Sequence, residues 1–299
     1  MRRNVMRKKG KKGGLEPYLF LALPLLLYGF FIIYPMLYSL YLSFFDWEGM
    51  SNKHQFVGLG NYVDIIRNDE IFRISLLNNL RWCVGTVLLP VTLGLLFALV
   101  LNRKRTGAGF LRTAVFTPVV LSVTAVGMMW RWMYDPTTGL INNTLKWFSG
   151  GKVTFNWYAD TGNIIYYLIV AGSWAYTGMC MIMFGAGIKS ISGSVLESAM
   201  LDGVNGRQML FYIVLPQLRN TLNTVLIYSM AQAFKVFDLV YVMTGGGPGR
   251  KTNVLASLSY ETVFSYYQYG RGSAIAWILT IVLLFISLVV NKLISMQKE

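Results

Sequence analysis

Six long apolar stretches divide this chain, and they constrain its fold more than any other feature. A helix that crosses a bilayer needs about 20 mainly apolar residues, and each of the six stretches provides them. Inside lipid every backbone hydrogen bond has to be satisfied, which a helix does within its own segment. We therefore expect an all-α membrane protein. Its predicted spans are residues 18–45, 77–101, 110–133, 164–188, 218–243 and 274–294.

The composition favours the same class of protein. Of the 299 residues, 55% are hydrophobic and 13% are charged, whereas a soluble domain carries about 25% charged residues. The two cysteines, Cys83 and Cys180, both lie inside apolar stretches, which argues against a disulfide framework or a metal site. The single histidine, His54, lies between two predicted spans, and we expect it to be a surface residue.

The basic residues predict how the chain is oriented. Lysine and arginine collect on the cytoplasmic side of a membrane protein, and with six spans both termini share one side. That side would hold sixteen of the 27 basic residues, many of them in the N-terminal segment 1–16, which we treat as a separate basic region. We therefore expect both termini in the cytoplasm and the basic segment beside anionic lipid, without a role in nucleic-acid binding.

The loop between the fourth and fifth apolar stretches carries signals for two short helices. Ser194 followed by Glu197 is a capping-box pattern, and Asn205 with Gln208 is a second, weaker one. Gly203 stands where the first helix should end, since a left-handed residue at a helix C-terminus is least costly as glycine. Any cytoplasmic loop can be capped in this way, so these signals alone do not indicate a function.

The same loop, residues 189–217, resembles the EAA coupling loop of bacterial ABC importer permeases. That signature places Glu-Ala-Ala, Gly and Ile-x-Leu-Pro at fixed spacings, and Ser198 is the one departure from it here. The residues on the pattern are Glu197, Ala199, Gly203, Ile213, Leu215 and Pro216. The resemblance implies that the loop docks into a cleft of a nucleotide-binding subunit and transmits its closure. The residues to which it assigns this coupling role are Glu197, Ala199, Asp202 and Gly203.

Other stretches resemble the maltose and multiple-sugar type of these permeases. They are Pro17-Tyr-Leu-Phe, Tyr34-Pro35, Phe56-Val-Gly-Leu-Gly-Asn-Tyr, Asp135-Pro136 with Gly139, and Asp238-Leu-Val-Tyr-Val-Met-Thr-Gly-Gly-Gly-Pro-Gly. The resemblance covers nearly the whole chain. It implies a six-helix permease domain of the type I ABC importer fold over residues 17–299, and the Thr-Gly-Gly-Gly-Pro version is similar to the first of two unlike permeases.

The resemblance also implies partners, and it implies no chemistry in this chain. A second, unlike permease would complete the pore as a heterodimer. A homodimeric ABC ATPase would bind ATP and Mg²⁺, and an extracytoplasmic sugar-binding protein would deliver a mono-, di- or oligosaccharide. The expected location is the bacterial cytoplasmic (inner) membrane. We expect no cofactor in this chain and no enzymatic activity, because the sequence offers no nucleophile–base pair or metal cluster.

The glycine-rich segment at residues 244–252 invites comparison with a phosphate-binding loop. A Walker A loop needs glycine directly before its lysine, whereas Arg250 precedes Lys251 here, and Pro248 removes a backbone donor. The predicted orientation also places the segment on the outer face, away from cytoplasmic ATP. We therefore predict a tight turn that closes the fifth span.

Polar side chains inside the spans indicate where a substrate can pass, because they are costly in lipid and face the bundle or a cavity. Ser229 and Gln232 share a face of the fifth span. A sugar needs hydroxyl and amide partners together with an aromatic ring. The expected pathway residues are Ser173, Tyr176, Ser229 and Gln232. The alternative is that such hydroxyl groups hold helices together.

Two other classes of protein remain to be weighed against an importer permease. A self-sufficient secondary transporter of a small polar solute would need an ionisable site at the membrane midplane and usually internal repeats. Lys235 and Asp238 are the nearest candidates, but at three residues apart we expect them to pair with each other. A membrane enzyme would need a convergent catalytic set, which the sequence does not show.

Overall fold

The computed structural model describes residues 16–49, 54–102 and 106–296, and this part of the chain is mostly helical, as predicted. The strands it contains are short: β1, Phe45–Asp46, pairs antiparallel with β2, Gln55–Phe56. Of the predicted basic segment, residues 1–15 lie outside the described residues, as do the basic residues 103–105 and Lys298.

Four described helices are each long and apolar enough to cross a membrane. They are Phe20–Leu42, Glu70–Leu101, Ile164–Lys189 and Tyr269–Val289. Two further stretches reach that length only as bent pairs. Ala108–Val120 meets Val123–Met133 at 107°, and Arg219–Ala233 meets Asp238–Thr244 at 48°. By length and composition, the described residues therefore contain four to six candidate spans, and each predicted apolar stretch falls on one of these helices or pairs.

The fifteen described α-helices follow one another with short connections. They are α1 Glu16–Tyr28, α2 Tyr34–Leu42, α3 Gly60–Asn68, α4 Glu70–Leu101, α5 Ala108–Val120, α6 Val123–Met133, α7 Leu140–Phe148, α8 Ile164–Lys189, α9 Gly193–Leu201, α10 Gly206–Gln208, α11 Leu215–Gln217, α12 Arg219–Ala233, α13 Asp238–Thr244, α14 Leu255–Phe264 and α15 Tyr269–Met296. Two π-helical segments, Gly29–Ile33 and Met209–Val214, join α1 to α2 and α10 to α11.

Two boundaries differ from the sequence prediction because polar residues extend or interrupt a helix. The predicted second span begins at residue 77, but α4 begins at Glu70, where the Asp69 carboxylate accepts a hydrogen bond from the Phe72 N–H at 2.9 Å. The predicted third span is broken after Pro118, and the Ser122 hydroxyl accepts from the Ala125 N–H at 3.2 Å to start α6. Asp69 and Ser122 are helix caps, and apolarity alone does not reveal them.

The centre of the bundle is the packing of α4 against α8, and glycine allows the two helices to approach closely. A Cβ atom on Gly94 would lie 2.5 Å from the Cβ of Cys180, and one on Gly172 would lie 2.8 Å from the ring of Trp82. Small residues at such contacts are typical of membrane helices, where van der Waals packing drives association. This core holds α5, α6, α12 and α13 around it.

The two ends of the bundle carry different segments of the chain, and each end is named after its segment. The loop end carries residues 189–217, and the glycine-turn end carries residues 244–254. At the glycine-turn end, Arg271 of α15 donates to the carboxylates of Asp64 and Asp69, the latter at 2.8 Å. This clamp joins the last long helix to α3 and to the start of α4.

Candidate functional site

The loop between α8 and α12 folds into short helices, as predicted, and one of its two capping boxes forms. The Asn205 side chain accepts from the Gln208 N–H at 3.0 Å, and the Gln208 side chain accepts from the Asn205 N–H at 2.9 Å. The predicted box between Ser194 and Glu197 is wrong. Helix α9 begins at Gly193, so Ser194 lies inside it, and its hydroxyl is 2.7 Å from that of Ser192.

Gly203 ends the first helix of the loop, as its position predicts. Its φ is +77°, the left-handed region that favours glycine. The Gly203 N–H donates to the Met200 carbonyl at 3.2 Å, and the Val204 N–H donates to the Ala199 carbonyl at 3.2 Å. A Cβ atom at Gly203 would meet nothing within 4 Å. The requirement for glycine therefore comes from the backbone and leaves the outward surface of the turn open.

The surface of this loop combines carboxylates with exposed apolar side chains. Glu197, Asp202 and Gly203 are exposed, whereas Ala199 is 7% exposed because α9 packs against the π-helical segment Met209–Val214. The exposure of the apolar part of this surface was not predicted from the sequence. Its most exposed large side chains are Leu201 at 89%, Tyr212 at 78%, Met200 at 61% and Phe211 at 60%. Exposed apolar side chains of this kind are typical of contacts with a protein partner or with the membrane.

A cavity of about 210 Å³ lies among α5, α6, α8 and α12, and two of the four predicted pathway residues line it. These are Tyr176 and Gln232. Tyr228, which the predicted set omitted, lies beside them, and the Gln232 side-chain amide donates to its hydroxyl at 3.2 Å. The remaining lining residues are apolar. A mainly apolar space with a few converging polar groups is the usual form of a small-molecule site.

The other two predicted pathway residues lie elsewhere. Ser229 is buried, and its hydroxyl is 3.5 Å from the sulfur of Cys180, where α12 packs against α8. Ser173 lines a separate, largely apolar groove of about 530 Å³ together with Trp130 and Trp174. Its hydroxyl has no hydrogen-bond partner among the described residues. Ser229 therefore lies at a helix–helix contact, which is the alternative that the sequence left open, whereas Ser173 lies at the groove.

The predicted pair between Lys235 and Asp238 is wrong. Both residues are exposed, and the ion pairs that the described residues form do not include one between them. The reason is the break between α12 and α13, where Phe237 leaves the helical conformation at φ −148°. Across that break, residues three apart in sequence no longer share a helix face. The described part of the chain also places no cluster of three or more metal-binding side chains together.

The glycine-rich segment forms the predicted tight turn, and α4 holds it in place. The Thr252 hydroxyl donates to the Gly247 carbonyl at 2.8 Å and lies 2.7 Å from that of Thr244. The side-chain amide of Asn78 donates to the carbonyls of Lys251 and Asn253 at 2.8 and 2.9 Å. Because Asn78 is only 1% exposed, its amide fixes the turn to the core of the bundle.

Known proteins resemble this chain over most of its length. Residues 91–296 match the family model described as binding-protein-dependent transport system inner membrane component. The probable ABC transporter permease protein YurN of Bacillus subtilis is 33% identical over 95% of this chain and 97% of that protein. The osmoprotective compounds uptake permease protein GgtC of Synechocystis is 35% identical over 85% and 89%. The alpha-glucoside transport system permease protein AglF of Rhizobium meliloti is 32% identical over 89% and 79%.

Solved structures show the same fold. A chain of a bacterial ABC transporter involved in the import of the acidic polysaccharide alginate superposes with a TM-score of 0.81 at 21% identity, over 95% of this chain and 96% of that one. A chain of the alginate transporter in complex with its periplasmic protein gives 0.79 at 22% identity, over 93% of each. The chain therefore belongs to the family of binding-protein-dependent transport system inner membrane components, the permease subunits of ABC importers.

Proposed function

We propose that this chain forms half of the translocation pathway of an ATP-driven importer for a carbohydrate. The observation that carries the substrate class is the cavity lined by Tyr176, Tyr228 and Gln232. Its phenols and amide can bind sugar hydroxyls, and its apolar walls can contact the C–H faces of a sugar ring. Relatives described as permeases for alpha-glucosides and multiple sugars support the same class. Since Ser173 and Ser229 are buried elsewhere, the proposed pathway depends on the first three residues.

The loop end is proposed to couple this chain to a homodimeric ABC ATPase. In the proposed assembly the ATPase, and not this chain, binds ATP and Mg²⁺. Glu197 and Asp202 present carboxylates that can pair with basic groups of the partner, and the exposed Leu201 can enter an apolar depression beside them. Buried Ala199 would hold α9 on its own loop, and Gly203 would set the turn. Closure of the ATPase would then move α9 together with α12 and shift the two permeases between inward- and outward-facing states.

The proposed orientation has six spans, if each bent pair counts as one, and both termini in the cytoplasm of a bacterial cell. A cysteine introduced at Leu201 should then react with a membrane-impermeant maleimide only after the membrane is opened. One at Lys251 should react from outside. Native Cys83 and Cys180 are replaced by alanine for this measurement. Labelling of the Leu201 position in intact cells would reverse the orientation.

The proposed assembly contains a second, unlike permease and an extracytoplasmic sugar-binding protein. Its first test is affinity purification of the tagged chain in mild detergent, with mass spectrometry of the proteins that accompany it. We expect a second permease in an amount equal to this chain, and an ABC ATPase in about twice that amount because the proposed ATPase is a homodimer. A chain that purifies alone and moves solute in liposomes without ATP would instead be a secondary transporter, and the proposed assembly would be rejected.

A further inference from the structure

Four aromatic side chains form a contiguous group at the glycine-turn end of the bundle. Phe237 precedes α13 and Tyr241 belongs to it, whereas Tyr260 and Phe264 belong to α14. The ring centroids of Phe237, Tyr241 and Tyr260 are 5.3–5.4 Å apart in all three pairs, and those of Tyr260 and Phe264 are 4.8 Å apart. We call these four residues the aromatic row. Its first three rings form a triangle, and Phe264 extends the group along α14.

Three members of the aromatic row are exposed, whereas the leucines of its two helices are buried. Tyr241 is 47% exposed, Tyr260 39% and Phe264 60%. By contrast, Leu239 of α13 and Leu258 of α14 are at most 4% exposed. Aromatic side chains that serve a helix contact would turn inward with these leucines. The exposed faces of the row are therefore available to something outside the bundle.

The space in front of the row is polar, which argues against lipid as its occupant. Tyr241 and Tyr260 line a cleft of about 500 Å³ with Arg131, Ser257 and Glu261. Charged side chains are costly in hydrocarbon, so a surface that carries two of them does not face lipid tails. The Glu261 carboxylate is held in place by Arg250 at 3.0 Å and by the Asn253 amide at 3.1 Å. The polar side of the cleft is thus fixed.

Helix α13 contributes to both the cleft and the cavity. Leu239 lines the cavity, whereas Tyr241 and the residues after it line the cleft. The helix has 7 residues, or about 10 Å of rise. The cleft that Tyr241 and Tyr260 line therefore lies close to the cavity.

We propose that the aromatic row is a track that a carbohydrate contacts at the cleft before it reaches the cavity. Sugar rings have apolar C–H faces that stack on aromatic rings, and their hydroxyl edges can bind Glu261 and Arg131 at the same time. Rings 4.8–5.4 Å apart offer successive contacts, so a sugar ring can meet the next ring before it leaves the last. Each contact is weak, which suits passage, since a transported solute has to leave every site it enters.

This inference rests on the proposed carbohydrate function, and a kinetic experiment separates the two. The complete importer is reconstituted, and initial uptake of maltose, maltotriose and raffinose is measured. With the sugar carried fastest, Tyr260→Ala should raise KM about five- to tenfold with kcat within about twofold. Tyr260→Phe should keep the wild-type KM, because the ring is retained. Tyr166→Ala removes an equally exposed tyrosine outside the row and should change neither constant.

The possible failures of this experiment are distinct. If the wild-type importer carries none of the three sugars, the carbohydrate function and the track are both rejected. If it carries one and Tyr260→Ala leaves KM unchanged, the track alone is rejected. A fall in kcat at constant KM, or an equal effect of Tyr260→Phe, would assign Tyr260 a structural role and also overturn the track.

A direct contact can be measured by photo-crosslinking. Benzoylphenylalanine is placed at position 260 of the complete importer and irradiated with radiolabelled maltotriose. We expect label on this chain that excess unlabelled maltotriose removes, and no such label with the crosslinker at position 166. Crosslinks to the second permease or to the binding protein in place of the sugar would show that the row is a protein interface, and the track would be rejected.

Discussion

At the residue scale, one amide–phenol pair provides hydrogen-bonding groups to the cavity. The Gln232 amide donates to the Tyr228 hydroxyl at 3.2 Å, and a primary amide can make three further hydrogen bonds. Replacing Gln232 with leucine keeps similar bulk and removes these groups. We expect Gln232→Leu to raise the KM of uptake about tenfold, which corresponds to one lost hydrogen bond of about 1.4 kcal/mol.

The matched control for Gln232→Leu is Thr224→Val. Thr224 is an exposed residue of the same helix, and its hydroxyl donates to the Asn220 carbonyl at 3.0 Å. The substitution likewise removes a polar group without changing the shape of the side chain. Uptake kinetics of Thr224→Val should match those of the wild type. A wild-type KM in Gln232→Leu would remove Gln232 from the pathway.

A second residue-scale prediction concerns charge at the loop end. Glu197 is exposed on α9, and in the proposed assembly a reversed charge would place a lysine against basic groups of the ATPase. Like charges at an interface cost several kcal/mol, so Glu197→Lys should reduce uptake to less than about a tenth of wild type. Surface biotinylation and quantitative blotting should show unchanged amounts in the membrane.

The control for this variant reverses a charge at the opposite end of the bundle. Glu48 is also exposed, and Glu48→Lys should retain wild-type ATP hydrolysis by the complete assembly. Glu197→Lys should uncouple the ATPase rate from the presence of substrate and binding protein. If both variants transport equally well, Glu197 has no coupling role.

The sequence predicted that polar residues line the cavity. It did not predict which polar residues on one face of α12 reach it. Ser229 and Gln232 are three residues apart on α12, and the pattern alone predicts that both line the pathway. The rotation of α12 turns Ser229 toward Cys180 and turns Gln232, with Tyr228, toward the cavity. That rotation is set by close packing against α8, which depends on residues far away in the sequence.

At the element scale, Asn78 links α4 to the glycine-rich turn. Its side-chain amide donates to two backbone carbonyls across 173 and 175 positions of sequence. Asn78→Ala would leave these buried carbonyls without their donor, and each unsatisfied group costs about 1–3 kcal/mol. We expect thermal unfolding in detergent to occur at a clearly lower temperature. The free energy of unfolding should fall by about 2–3 kcal/mol.

Asn143→Ala is the control for this element-scale prediction. Asn143 is exposed, and its amide donates to a single carbonyl, that of Thr138, at 3.1 Å. Changes at such surface positions are usually within about 0.5 kcal/mol. Equal melting temperatures for Asn78→Ala and Asn143→Ala would show that the turn is not held by α4.

The clamp between α15 and α3 should make stability depend on pH. Hydrogen bonds from Arg271 and then from Asn68 hold the pKa of Asp64 below its ordinary value of 3.8. The folded pKa is therefore lower than the unfolded one, so the stabilisation is complete above the unfolded value and is lost as pH falls through the folded one. The melting temperature should fall between about pH 5 and pH 3, and Asp64→Asn should flatten part of that fall.

A substitution at another exposed carboxylate tests whether the pH dependence of the melting temperature arises from the clamp. Glu48→Gln should leave the fall between about pH 5 and pH 3 as it is in the wild type. The Asp64 side chain is 46% exposed, so its pair with Arg271 is screened by salt, and the difference between variants should shrink at high ionic strength. If the melting temperature of Asp64→Asn falls with pH as steeply as that of the wild type, the pair has no pH-dependent role.

Element boundaries followed caps more closely than apolarity. The long straight helices α8 and α15 were predicted within a few residues because their apolar runs are uninterrupted. The third stretch looked continuous, yet Pro118 and the Ser122 cap divide it into α5 and α6, which meet at 107°. Because the residues on both sides of such a break are apolar, the mean hydropathy of a sequence window does not reveal the break. The same is true of α12 and α13.

At the scale of the whole molecule, the number and order of the apolar stretches predicted the helical bundle, and the spaced motifs predicted its family. What the sequence could not give is the arrangement of neighbours. The first long helix shows this: none of its most apolar window, within Phe20–Leu42, is buried in the isolated chain. Its final environment depends on lipid and on the proposed partner permease, whose surface is not encoded in this chain.

The most direct measurement of the central proposal is sugar accumulation by proteoliposomes that contain this chain, its second permease and the ABC ATPase. The binding protein is added on one side and ATP is enclosed on the other. We expect accumulation against a gradient that requires ATP and the binding protein and is lost in Glu197→Lys. Accumulation by this chain alone, without ATP, would contradict the proposal that it is a permease subunit driven by a separate ATPase.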